Sequence, residues 1–144
     1  MSRILLLANL NCDHVLSLSE PLMAGARLQY LDQGRRLGGG AANTGIGLVW
    51  AGHEVTIASR IGLDETGDWL LEQAAGHGLD CSHVERFGGE TGELLVLVDA
   101  TGTPAVRCAC GNPLTAPTVR NLPSAELLGT RWAGFDPAAT LMVT

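Results

Sequence analysis

Asn11 and Asp13 stand two residues apart near the amino terminus. An amide offers donors and an acceptor, and an ionised carboxylate accepts from two or more hydroxyls, so the pair suits a polyol. The same two residue types are common turn formers, and an Asx turn closing a strand is the competing reading. A second group is Gly38-Gly39-Gly40-Ala41-Ala42-Asn43. Glycines ahead of a helix let the backbone approach a ligand, and helix N–H groups can point at its oxygens. Three ligand chemistries compete here. A phosphate-cradling P-loop needs a Lys-Ser/Thr ending, which is missing. A dinucleotide fingerprint needs a glycine where Asn43 stands and a strand immediately before it. A sugar platform would use the glycine amides and the Asn43 amide to hold hydroxyls. A plain tight turn where helix packs on sheet stays open beside these.

The surrounding pattern says which elements must position these groups. Residues 3–8 form a short apolar run and read as a buried strand, with Asn11-Cys12-Asp13 on the loop after it. Residues 14–37 mix polar and apolar types without a helical period and read as loop plus short strands. Residues 40–51 read as a helix with Ala42, Ile46 and Val49 on one face, ended by Gly52. Val55 to Ala58 is a strand of largely β-branched residues. Gly62 to Gly67 is a turn, and Asp64 suits the N-cap of a helix carrying Trp69, Leu70, Ala74 and Ala75 and stopped by Gly78. Residues 94–98 and 104–110 read as two arms of a hairpin. Residues 111–123 hold three prolines and read as irregular; Ser124 can cap a short helix through Leu128. Residues 140–144 read as one more strand. Alternation of strand and helix implies an α/β layer fold with a parallel sheet. An apolar strand at the end with no crossover helix after it leaves a sheet edge uncovered, as in an incomplete fold.

Spacing adds a resemblance. Gly38-Gly39, Asn43, Gly52 and Gly62, together with Gly62-Leu63-Asp64-Glu65-Thr66-Gly67 and the opening Ala8-Asn9-Leu10-Asn11-Cys12-Asp13-His14-Val15-Leu16, resemble the N-terminal signature of the PfkB carbohydrate kinases, the ribokinase-like sugar and nucleoside kinases. The matches run from residue 4 to about residue 80, with weaker similarity through 94–110. The resemblance implies a ribokinase-like three-layer α/β/α fold with a small β-sheet lid, incomplete at the C-terminus. It implies that Asp13 binds sugar hydroxyls with Asn11 beside it. Gly38 and Gly39 would give the substrate room, and Asn43 would complete the acceptor pocket. Residues 15–37 and 94–110 would form the lid, which can also pair subunits. Two positions depart from the pattern: Gly40 where some members carry Lys, and Gly45 where Ser, Thr or Ala is usual. The family's ATP site and catalytic Asp lie in a glycine–Asp motif of the C-terminal half. Gly134-Phe135-Asp136 and Gly88-Gly89-Glu90 come nearest, and neither has the glycine–helix context. ATP and Mg2+ are therefore expected for the family, with no site for either in this chain.

Composition bounds the alternatives. The chain has 144 residues, one domain's worth, and Lys plus Arg number 9 against 15 Asp plus Glu, a net charge of −6. Such a chain lacks the basic patch that nucleic acid or an anionic membrane surface requires. Hydrophobic residues make up 46% and aromatics 4%, so an aliphatic core is expected. No apolar run is long enough to cross a membrane. The four cysteines form no C-x-x-C pair, which suits a reduced, cytoplasmic protein. His77, Cys81 and His83 match no zinc spacing, so no metal is expected. His14 reads as a solvated loop residue, Trp50, Trp69 and Trp132 as core or half-buried packing, and Arg107 as an exposed lid residue. The leading reading is the sugar-binding half of an ATP-dependent carbohydrate kinase, inactive alone, so whether this chain is itself an enzyme stays open. The alternative is a non-catalytic sugar-binding or dimerising module, and a dinucleotide-binding domain is the third.

Overall fold

The computed structural model describes residues 1–102, 104–109 and 140–143. They form two four-stranded sheets and two helices. The first sheet is wholly parallel. Strand β1 (Arg3–Leu7) lies between β4 (Glu54–Gly62) and β8 (Thr140–Val143), and β5 (Asp80–Phe87) pairs with the outer side of β4. Parallel strands need apolar residues on both faces. Accordingly Ile4, Leu5 and Leu6 of β1 and Val55, Ile57, Ala58 and Ile61 of β4 are all buried.

Helix α1 (Gly39–Trp50) connects to β4, and α2 (Glu65–Gly76) connects β4 to β5. Ala41 from α1, and Leu70 and Ala74 from α2, join Leu6, Val55, Ile57 and Ile61 in one buried cluster, so both helices cover the same face of the sheet. Each helix ends as its sequence predicts. Gly52 follows α1 with φ +87 and donates to the Val49 carbonyl. Gly78 follows α2 with φ +83 and donates to Ala75. Gly45 has a tertiary reason: a Cβ there would stand 3.0 Å from Leu79 Cδ2 and 3.3 Å from Leu6 Cδ2. The bare backbone lets α1 lie close to the sheet.

The second sheet has the order β3-β2-β6-β7, with β2 (Asn11–Leu18), β3 (Tyr30–Gly38), β6 (Glu93–Val98) and β7 (Pro104–Ala109). The β2–β3 and β6–β7 pairs are antiparallel, and β2 runs parallel to β6. The hairpin expected over 94–110 is thus β6 and β7.

Three readings need correction. Within residues 14–37 a loop is present at 19–29 as expected, but the strands that flank it, Asn11–Leu18 and Tyr30–Gly38, are long rather than short. β3 is exposed along most of its length, so it carries no alternation of apolar and polar residues. Asn11-Cys12-Asp13 opens β2 rather than lying on a loop. Trp50 is 81% exposed, not packed, because it ends α1 on the side away from the sheet. One strand went unread: β5, Asp80–Phe87, has only one fully buried residue, Val84, and forms through its ladder to β4. The irregular stretch 111–123, the short helix from Ser124, Trp132 and Gly134-Phe135-Asp136 lie outside the described residues.

Candidate functional site

Ligands of parallel α/β sheets gather at the carboxyl ends of the strands. Here that rim carries the chain from β1 into β2, the turn after β4 and the segment after β5. The β2–β3 ladder sets Asn11 opposite Gly38 and Asp13 opposite Arg36. Gly38 is buried, and a Cβ on it would run into the Asp13 carboxylate, with Asp13 Oδ2 at 2.6 Å. Gly39 has φ +86, and a Cβ on it would lie 2.7 Å from Asn11 Oδ1 and press on the Asn9 carbonyl oxygen. The diglycine is therefore required twice: by a left-handed backbone at Gly39 and by the acidic side chain lying on Gly38. The early Asn-x-Asp and the helix start converge on one spot.

The polar groups there form a chain of bonds. Asn11 is only 6% exposed, and a buried amide must be paired. Its Nδ2 donates to Asp13 Oδ1 at 2.8 Å, and its Oδ1 accepts from Asn9 Nδ2 at 2.7 Å. Asn9 in turn caps α1 from outside the helix. Its Oδ1 accepts from Gly40 N–H at 3.0 Å, and its main-chain oxygen accepts from Ala41 N–H at 3.0 Å. Gly38, the N-cap position, has no side chain to do this. Asn43 lies one turn into α1 with its side chain exposed to solvent. Asn9 was not singled out from sequence, although Asn9, Asn11 and Asp13 form a polar run of period two.

A second cluster anchors the segment between β5 and β6. Asp64 caps α2 as expected, accepting from Gly67 N–H at 2.8 Å. The same carboxylate accepts from the Thr91 hydroxyl and from Thr91 N–H, and Thr91 Oγ1 accepts from Gly62 N–H at 3.0 Å. Burial pushes the Asp64 pKa up. The bonds from Thr91 and Gly67 and the nearby Arg86 charge outweigh burial and hold it below its ordinary value. A Cβ on Gly62 would meet the Gly89 carbonyl and lie 2.6 Å from Thr91 N; one on Gly67 would lie 2.9 Å from Thr91 Oγ1. Gly-x-Asp-x-x-Gly is thus a clasp around residues 89–91. One residue on, the Gly92 carbonyl accepts from Cys12 N–H at 3.0 Å, and Glu93 accepts from Thr66 Oγ1 at 2.8 Å. The clasp fixes where β6 starts beside β2, next to Asp13. Thr91 carries no sequence signal, because its partners lie 24 or more residues away.

The remaining candidates fall elsewhere. His14 Nε2 pairs with Asp32 at 2.9 Å, within the β2–β3 pair. Trp69 is half-buried and lies under the Arg35 guanidinium, 4.9 Å from its ring centre, tying β3 to α2. Burial pushes the Cys81 thiol up to about 11, with Asp80 adding to the effect, so it stays protonated at neutral pH. Among the described residues no group of three or more His, Cys, Asp or Glu side chains could hold a metal ion. No described helix is long and apolar enough to cross a membrane. The side chain of Arg107 lies outside what is described.

The model for the pfkB family carbohydrate kinases matches residues 11–116, and one for a domain of unknown function matches residues 90–144. No protein of curated function matches the chain. Three solved structures illustrate the likeness of fold. Ribokinase from Cryptococcus neoformans in complex with ADP is 22% identical over 81% of this chain and 39% of its own, with a TM-score of 0.66. A nucleoside kinase from Burkholderia thailandensis in complex with inosine is 12% identical over 76% of this chain and 36% of its own, at 0.63. The protein Sa239 is 19% identical over 99% of this chain and 46% of its own, at 0.78. The chain spans less than half the length of each. The fold is the ribokinase-like one.

Proposed function

We propose, because the chain belongs to the pfkB family of carbohydrate kinases, that it forms the sugar-binding half of a sugar or nucleoside kinase. Asp13 accepts hydrogen bonds from adjacent hydroxyls of the acceptor, and Asn11 orders that carboxylate from within the protein. The bare Gly38–Gly39 backbone gives room to the Asp13 and Asn11 side chains that receive the sugar, and Asn43 reaches it from α1. The observation that carries this reading is the Asp13 carboxylate lying on a side-chain-free Gly38 at the carboxyl rim of the parallel sheet. A solvated polar turn has no need of that close fit. Strands β2, β3, β6 and β7 are proposed as the lid over the sugar, and a cytoplasmic setting suits Cys12 and Cys81, neither of which is in a disulfide.

The donor side of the reaction needs ATP and Mg2+, and the described residues do not fit them. At the glycine-rich start of α1, the Gly40 and Ala41 N–H groups are already spent on Asn9. Gly88-Gly89 leads into strand β6, not a helix. We therefore expect this polypeptide alone to bind sugar without appreciable phosphoryl transfer. Calorimetry of the purified chain with D-ribose, D-fructose and inosine tests the reading. Binding of at least one, abolished or strongly weakened by Asp13→Ala, is the expected result; no binding across a wide sugar panel would overturn it. A second reading, a dimerising module, is favoured by Tyr30 and Leu31, which are 64% and 66% exposed on the edge strand β3.

A further inference from the structure

We infer that Asn9 is a positioning residue that sets the donor–acceptor polarity of the acceptor site; the inference rests on the sugar-binding reading of Asn11 and Asp13. A backbone N–H can only donate. Gly40 N–H lies 3.0 Å from the Asn9 side chain, so the atom facing it must be Asn9 Oδ1. The other end of that amide, Nδ2, then faces Asn11 and can only donate, which obliges Asn11 to present Oδ1. The Asn11 Nδ2 group is left facing the Asp13 carboxylate and donates to Oδ1. Each orientation is dictated by the one before it. The first bond, fixed by the helix backbone, therefore propagates to the same Asn11 orientation that the acceptor-only Asp13 carboxylate requires.

The order has a consequence for a sugar. An ionised carboxylate is an acceptor only, and its lone pairs must be satisfied by something. With Oδ1 held by Asn11, the carboxylate is oriented from inside the protein. Were the Asn11 amide reversed, its carbonyl oxygen would face the carboxylate, and two acceptors would repel. The acceptor-only Asp13 carboxylate calls for Asn11 Nδ2 from one side, and the Asn9 amide calls for Asn11 Oδ1 from the other. Asn9 adds its constraint while capping α1, so the helix amide at one end and the carboxylate at the other hold Asn11 in one arrangement. Linked bonds of this kind reinforce each other where the local dielectric is low, and Asn11 at the middle of the chain of bonds is buried.

Asn9→Asp separates the two roles of Asn9. An aspartate keeps an oxygen for Gly40 N–H, a favoured cap at a helix start. It loses the donor toward Asn11, which then stands between two carboxylates and can turn its Nδ2 to only one of them, leaving its oxygen against the other. Asn9→Ala loses cap and relay together. The purified full chain is followed by thermal denaturation, by NMR of the Asn11 side-chain amide in isotope-labelled protein, and by calorimetry with D-ribose, D-fructose and inosine. We expect Asn9→Asp to melt within about 3 °C of wild type, to shift the Asn11 amide resonances, and to bind sugar at least tenfold more weakly. Asn9→Ala should lose binding and stability together. Wild-type sugar affinity in Asn9→Asp, or unmoved Asn11 resonances, would overturn the inference. If Asn9→Asp fails to fold, Asn9→Ser carries the same test, since its hydroxyl can accept from Gly40 N–H but is too short to reach Asn11. A wild-type chain that binds none of the sugars, with the Asn11 resonances moving as expected, supports the relay and removes only the sugar-binding reading.

Discussion

Asp13 and Gly38 act as one unit, because the carboxylate occupies the space a side chain at 38 would take. Removing Asp13 deletes charged hydrogen bonds worth about 1.5–3 kcal/mol each. Asp13→Ala should therefore weaken sugar binding by about tenfold to 150-fold for each bond lost, which calorimetry reads directly. Because Gly38 leans on that carboxylate, Gly38→Ala should reach a similar loss by displacing it, and should also lower the melting temperature. Asp13→Ala should rescue the melting temperature of Gly38→Ala in the double variant, since the clash is with the side chain it removes. Among these residues, the spacing of Asn11, Asp13 and the diglycine was readable along the chain. Which way each amide points was not, because a donor and an acceptor of the same shape differ only by what lies across from them in space.

The turn after β4 works at the level of whole elements. Asp64 joins the start of α2 to residues 89–91 and so places β6 against β2. Replacing an N-cap Asp by Ala costs about 1 kcal/mol, and Asp64→Ala also releases Thr91. The folded pKa of Asp64 is lowered below 3.8. Its contribution is thus complete above the ordinary carboxylate range and disappears as pH falls through the lowered value. Thermal denaturation should show a gap between wild type and Asp64→Ala that is full at neutral pH and narrows in acid. Gly62→Ala should destabilise by about 1–3 kcal/mol, because the new methyl meets backbone atoms of Gly89 and Thr91 that a rotamer change cannot move aside. The motif's spacing was visible in the sequence, and Asp64 capping α2 followed from residue type. Its grip on Thr91 did not, since nothing local links residues 64 and 91.

At the scale of the molecule, two sheets meet at the carboxyl rim of the parallel one, and the connections between them carry the candidate site. A coupled ATP-dependent assay on the purified chain with any sugar that binds should show no appreciable turnover; ordinary turnover would refute the acceptor-half proposal. The edge strand β3 presents Tyr30 and Leu31 to solvent. Among the described residues no strand pairs with its outer side, and such an edge with apolar side chains is a template for a second copy. Sedimentation should show self-association of the chain, shifted toward monomer by Leu31→Lys.

Local rules alone determined the buried strand at residues 3–7, both helices with their glycine stops, the Asp64 cap and the glycine spacings that mark the family. Each of these depends on side-chain type and separation within a few residues. The tertiary structure decided what depends on distant partners. Examples are β5, a polar strand made by its ladder to β4, the exposed strand β3, and the reason for glycine at position 45 beneath Leu79. The orientation of the Asn9–Asn11–Asp13 relay belongs with these, since it starts from a helix amide 31 residues away along the chain.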